Sequence, residues 1–340
     1  MIKNIARATI ADVARQAGVS KATVSRFLNH RDTLLSEHIA RRVEVAIAHL
    51  GYTPSPMAQA LKRGRSRLIG LVVADITNPY SVAVLRGAEE ACRAAGYLVM
   101  LFNLGNGSQR ESAAIEALLS YQVEGFILNT LGHDTGVEAA RCGKPVVLVD
   151  RLHQGLDVDF VSLDNKQAVG LTAQHLLDSG YTELLLVTEP LGGVSSRIER
   201  SEAFMLFIQD HDDAVSGRCL ASDADEVGLD QALCALRKRA KAGRAAVISS
   251  NAVVTLRIVA AAARLGWQLG VDLGLIGIDE TEWAPYVGPG ISTVSQPTAE
   301  LGRKAAECLL DRLRGSDAAV RKILLPGVLN VRGSSRALAR

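Results

Sequence analysis

From residue 67 onward the sequence alternates short apolar runs with amphipathic stretches, and this rhythm is the tightest constraint on its fold. The runs are LIGLVVAD (68–75), YLVMLFN (97–103), GFILN (125–129), PVVLVD (145–150), ELLLVTE (183–189), AVISSN (246–251) and LGLIGID (273–279). They are near-continuous in Val, Ile and Leu, as strands buried on both faces must be. Segments between them, such as 81–95 and 108–121, carry helical spacing. Strand–helix alternation of this kind makes parallel sheets covered by helices on both faces. The stretch is too long for one such sheet, so two doubly wound α/β lobes are expected.

Open parallel sheets bind ligands beyond the carboxyl ends of their strands. Here those ends carry Asp75, Asn78, Asn103, Asn129, Asp150, Glu189, Asn251 and Asp279. As a set facing one cleft, such carboxylates and amides can bracket the paired hydroxyls of a polyol. Taken singly, each can equally cap the helix that follows its strand.

Ahead of the lobes, residues 9–29 read TIADVARQAGVSKATVSRFLN. Ile10, Val13, Ala14 and Ala17 make one apolar stripe on a short helix, with Thr9 and Asp12 spaced for a capping box. Gly18 supplies the positive φ that a tight turn needs. Ser20 caps a second helix that buries Val24, Phe27 and Leu28, which leaves Lys21, Ala22, Ser25, Arg26 and Asn29 facing outward. Arg26 has the reach for a guanine edge, while Ser20, Ser25 and Asn29 suit phosphates. The pattern describes a DNA-reading helix-turn-helix, or else a helical hairpin with an ordinary solvated face.

A third helix opens at Ser36, ends at Gly51 and buries Ile39, Val43, Ile47 and Leu50. Next, Tyr52 to Gly64 places Pro56 at a first helical turn and Gly64 at a stop. A helix of about two turns is marginal in water by itself. The segment is therefore a plain linker, or a helix that forms only when something holds it.

The charge distribution favours DNA. Of 38 Lys/Arg and 36 Asp/Glu, twelve and four fall in residues 1–67, leaving 26 against 32 in the remainder. A basic head on an acidic body is the footprint of a protein that meets nucleic acid with its head alone. Five scattered cysteines without a CxxC pair indicate neither a disulfide framework nor a zinc site. With no signal-peptide core and no apolar run of membrane length, a cytosolic protein is expected. GxGxxG, P-loop, GxSxG and HExxH motifs are absent, and the acidic run at Asp210, His211, Asp212 and Asp213 reads as a solvated loop. No catalytic residue, metal ligand or cofactor is assigned, and no enzyme is expected.

The motif T-I-x-D-V-A-x-x-A-G-V-S-x-x-T-V-S-R-x-L-N at residues 9–29 closely resembles the N-terminal signature of the LacI/GalR family of transcriptional repressors. The resemblance implies a homodimer on a pseudo-palindromic operator, contacted by Thr9, Ser20, Lys21, Ala22, Ser25, Arg26 and Asn29. It also implies a hinge helix in the minor groove, with Tyr52, Ser55 and Ala58 at the DNA and Leu61 wedging a base step. Ser55 stands where the family often has asparagine. The implied organisation is a helix-turn-helix head at 1–53, a hinge at 54–66 and a tail at 335–340. Between them come two flavodoxin-like lobes, similar to those of periplasmic sugar-binding proteins, at 67–161 with 292–323 and at 162–291 with 324–334. The stretch LNVRGSSRALAR contains no leucine heptads, so no tetramer-forming tail is expected.

Transferred position by position, the family's effector contacts fall on Tyr80, Ser81, Asp150, Arg200, Asn251 and Asp279, with Trp283 and Gln296 closing the rim. Arg200 follows from the likeness of residues 194–204 to R-x-x-G-[FY]. Ala203 replaces the glycine there, so Arg197 is a second candidate. Trp283 is open to another reading, as an aromatic packed inside its lobe. Arg197 and Arg200 together suit a carboxylate, and the chain resembles family members that sense gluconate or 2-ketogluconate. The reading adopted is a repressor of carbohydrate catabolism released from DNA by a sugar or sugar acid. Its alternatives are a co-repressor-type regulator tightened by a metabolite such as a purine, and a cytosolic sugar-binding protein without a DNA role. No membrane partner is expected.

Overall fold

The computed structural model describes residues 8–28, 35–54, 65–105, 107, 110–129, 140, 142–153, 155–221, 223, 225–241 and 243–336. They fall in two compact units, one within Met1–Ser66 and one within Arg67–Arg340. Asn29, Ser55, Ala58 and Leu61, and with them residues 55–64 of the expected hinge and 337–340 of the expected tail, lie outside the described residues.

In the first unit α1 (Ile10–Ala17), α2 (Lys21–Leu28) and α3 (Glu37–Leu50) pack around Val13, Ala14, Ala17, Val24, Val43 and Ala46. The capping box forms: Thr9 accepts from the Asp12 N–H, and the Asp12 carboxylate accepts from the Thr9 N–H at 3.0 Å. Gly18 takes φ 62° and the Val19 N–H bonds to the Ala14 carbonyl at 3.0 Å, which turns the chain into α2. On α3 the buried stripe runs through Val43, Ala46, Ile47 and Leu50. Ile39, a turn nearer the helix start, is partly buried.

The second unit holds two six-stranded sheets. β1 (Leu68–Val73), β2 (Leu98–Asn103), β3 (Gly125–Asn129), β4 (Val146–Val149), β5 (Asp159–Leu163) and β11 (Lys322–Leu325) form the first, in the order β11-β5-β4-β3-β1-β2. All of its pairs are parallel. β6 (Tyr181–Thr188), β7 (Ser216–Ala221), β8 (Arg244–Ser249), β9 (Gly274–Ile278), β10 (Ser292–Ser295) and β12 (Val328–Asn330) form the second, in the order β12-β10-β9-β8-β6-β7. There only the β10–β12 pair is antiparallel.

Each sheet is covered on both faces. α4 (Pro79–Ala94) and α10 (Thr298–Leu313) pack on one face of the first sheet through Val84, Ala88, Leu301 and Leu309. α5 (Glu111–Ser120) packs on the other through Ile115 and Leu118. Strand alternation along β1 makes this possible, sending Ile69, Leu71 and Val73 one way and Val72 the other. In the second lobe α6 (Asn165–Asp178) and α7 (Ser195–Asp210) cover one face, and α8 (Glu226–Ala240) and α9 (Ala252–Arg264) the other. The α4–α10 crossing needs glycine: a Cβ on Gly302 would lie 2.0 Å from the Val84 carbonyl oxygen.

The chain passes between sheets after Leu163, after Ser295 and after Leu325. Each crossing comes only after β5, β10 or β11 has completed its pairing. At the start of β5 the Asp159 side chain is wholly buried. It accepts from Arg312 of α10 at 2.9 and 3.0 Å, and from Arg321 just before β11 at 2.9 Å, and so ties the returning chain to the first sheet.

Candidate functional site

The carboxyl ends of both sheets open on one cleft of about 770 Å³ between the lobes. From the first lobe come Asp75, Asn78, Tyr80, Ser81, Asn129, Asp150 and Arg151; from the second come Glu189, Ser196, Arg197, Arg200, Ser250, Asn251 and Asp279, with Gln296 at the second crossing. Eight of the nine expected effector residues are therefore brought together. Trp283 is not. It is half-buried against the apolar cluster of α8 and α9, because the 3-10 turn Ala284–Tyr286 behind it is anchored inward by fully buried Ala284. Asn103 also stays away from the cleft, its Oδ1 accepting from the N–H groups of Ile76 and Gly105.

Several polar groups at the strand ends have local work to do. Asn78 caps α4, accepting from the Tyr80 N–H at 3.0 Å, and Asn251 caps α9, accepting from the Val254 N–H at 2.9 Å. The amide of Asn251 donates to Glu189 at 2.8 Å, and Arg197 donates to the same carboxylate oxygen at 2.7 Å. Arg200 is buried, its Nε donating to Asn165 at 2.7 Å and its Nη1 to the Ser250 carbonyl at 2.5 Å. Its other terminal nitrogen lies 3.9 Å from Asp150 across the cleft. Arg197 and Arg200 thus hold different acids and do not fork together. Asp150 also accepts from Asn129, Arg151 and Ser196, at 3.3–3.4 Å.

Other groups are withdrawn from water. The Tyr80 hydroxyl, the Ser250 hydroxyl and the Gln296 carbonyl have no hydrogen-bond partner among the described residues. Burial, with the negative charges of Asp150 and Asp279, pushes the Tyr80 hydroxyl well above its ordinary pKa. Burial also raises Asp279 to about 6, against the opposing pull of Arg200, the Ala252 N–H and Gln296. Buried polar atoms left unpaired carry a free-energy cost that a hydroxyl-rich ligand relieves. Arg151, Ser196 and Ser250 were not expected in the site. Each directly neighbours a residue singled out in the sequence or shares its helix turn, and that adjacency was the available signal.

On the first unit, Lys21, Ala22 and Arg26 are exposed on one side of α2, with Ser25 partly so. The hydroxyl of Ser20 accepts from the Thr23 N–H at 3.2 Å, so Ser20, like Thr9, serves as a helix cap. Tyr52 packs half-buried against the head core. Among the described residues no group of three or more His, Cys, Asp or Glu is placed to hold a metal ion, and no helix is long and apolar enough to cross a membrane.

Comparison with known proteins gives a consistent picture. Residues 9–55 match the model for bacterial regulatory proteins of the lacI family, and residues 173–335 match a periplasmic binding protein-like domain. The HTH-type transcriptional regulator PtxS of Pseudomonas aeruginosa is 46% identical over 330 residues, covering 97% of this chain and 96% of that protein. The HTH-type transcriptional regulator KdgR of Bacillus subtilis is 38% identical over 339 residues, covering 98% and 99%. The fold is similar to that of the lac repressor dimer bound to operator and the anti-inducer ONPF, with a TM-score of 0.83, 24% identity and coverage of 98% and 100%.

Proposed function

Because the chain belongs to the lacI family of bacterial regulatory proteins, we propose that it is a transcriptional repressor whose grip on DNA is set by a sugar or sugar acid in the cleft. The helix-turn-helix binds operator DNA as one half of a homodimer. Arg26, Lys21 and their neighbours on α2 face the major groove, and the 54–66 segment serves as the hinge. In the cleft Tyr80, Ser81, Asp150, Arg197, Arg200, Asn251, Asp279 and Gln296 contact the effector. The observation that carries this reading is the set of buried polar atoms at Tyr80, Ser250 and Gln296, each on the cleft wall and without a partner among the described residues. A polyol supplies the donors and acceptors they need.

The mechanism follows from the split architecture. Ligand contacts on both lobes favour one relative placement of the lobes, and the hinge carries that preference to the head. A coupling of about 1–3 kcal/mol changes operator affinity by roughly 5- to 150-fold. A mobility-shift titration on DNA upstream of the gene, with and without 2-ketogluconate or gluconate, tests the proposal. Release by one of them supports it. A band that appears only with an added purine base would reverse the switch to co-repression.

A further inference from the structure

We propose that Arg151 and Arg197, one from each lobe, hold the anionic group of the effector between them, so that the cleft selects acidic over neutral carbohydrates. This deepens the effector reading above and rests on it. Arg151 follows Asp150 at the end of β4, and Arg197 lies in the first turn of α7. Both line the cleft, and their side chains are only 12% and 14% exposed. They also sense one another. Burial lowers the pKa of Arg197, Glu189 opposes that, and the charge of Arg151 lowers it further.

Two cations lining one cleft, each largely withdrawn from solvent, repel one another, and an anion placed between them removes the penalty. The protein's own carboxylates are shared out. Asp150, 3.3 Å from the Arg151 Nε, also serves Asn129, Ser196 and Arg200; Glu189, 2.7 Å from Arg197, also serves Asn251. Arg200 spends its Nε on Asn165 and its Nη1 on the Ser250 carbonyl, so it lacks a free pair of donors for such an anion. Guanidinium groups bind carboxylate or phosphate oxygens through paired N–H bonds, so either anion fits the chemistry.

The test is calorimetric titration of the full-length protein with gluconate, 2-ketogluconate, glucose and glucose 6-phosphate. The wild type is expected to bind a sugar acid at least ~10-fold more tightly than glucose. Arg151→Gln is expected to lose that preference, the ratio of sugar-acid to glucose affinity falling toward one, and Arg151→Lys to recover part of it. A preference for glucose 6-phosphate that Arg151→Gln abolishes keeps the anion bridge and identifies phosphate as its source. Unchanged sugar-acid affinity in Arg151→Gln overturns the inference, as does equal wild-type affinity for glucose and the acids. Loss of all ligands in both variants, with the fold intact by circular dichroism, also overturns it by making Arg151 a structural residue. These outcomes leave the effector reading standing, whereas operator binding that no carbohydrate alters overturns both.

Discussion

Asp150 and Asp279 hold the same station in two different sheets. Asp150 leaves β4, third in the order of the first sheet, and Asp279 leaves β9, third in the second. Both adopt left-handed backbone, at φ 67° and 90°, a conformation that residues other than glycine rarely take. Such strain persists where the surroundings hold it, and it gathers at functional sites. Here it turns two carboxylates from opposite lobes into one cleft, where Asp150 is ringed by arginines while Asp279 is bonded mainly by neutral groups.

That difference predicts a pH effect. Asp279 has a raised folded pKa of about 6, against 3.8 ordinarily. Between those values the folded protein holds a proton that the unfolded chain has released, so this group's stabilisation is complete below pH 3.8 and is lost as pH rises through about 6. The loss is roughly 3 kcal/mol. Asp279→Asn is expected to be more stable than the wild type at neutral pH, with a smaller gap at pH ~5, measured by urea unfolding at both. A gap that widens toward acid would contradict the assignment.

Arg200→Ala is expected to abolish the effector response while leaving operator affinity unchanged. The buried partners it abandons, at Asn165 and the Ser250 carbonyl, put the stability cost at about 1–3 kcal/mol. A normal effector response in the variant would remove Arg200 from the binding set.

Arg26→Ala is expected to weaken operator binding by about 1–3 kcal/mol and to relax specificity at one base position. Arg26 is exposed, so head folding should be unaffected. Lys21→Ala, which removes a cation from the same exposed face, is expected to weaken all sequences alike and reduce the salt slope by about 1. Equal affinity of Arg26→Ala for the operator would refute the groove assignment.

Asp159→Asn is expected to destabilise the second unit by about 3–5 kcal/mol, because it leaves Arg312 and Arg321 facing a neutral amide. Burial pulls the Asp159 pKa up, but hydrogen bonds from the two arginines more than reverse this and hold it below the carboxylate range. Its stabilisation is therefore lost as pH falls, opposite in sign to Asp279. Denaturant unfolding monitored by Trp267 and Trp283 fluorescence reads the change.

Much of this architecture is legible in the sequence because seven strands are continuous apolar runs, and these became β1, β2, β3, β4, β6, β8 and β9. The other five lack that signature. In β10 Ser292 and Thr293 are buried polar residues, and Ser292 is satisfied by Arg332, Ser334 and Ser335, some forty positions away. No local pattern announces partners that distant. β7 and β12 are sheet edges with mixed polarity. In the cleft, strand-end acids and amides were readable because a parallel sheet exposes its carboxyl ends. Arg151 was not, since a basic residue after a strand has no fixed direction until the lobes face one another. Trp283 shows the converse, a side chain whose direction the following turn decides.

A ligand in the cleft is proposed to govern how the head holds DNA. This is tested most directly by fluorescence anisotropy of labelled upstream DNA with the full-length protein, titrated with 2-ketogluconate, gluconate, ribose, glucose and a purine base. Tight binding without ligand is expected of both the wild type and Arg200→Ala, and release by a sugar or sugar acid of the wild type alone. Tight binding that none of these compounds changes would contradict it.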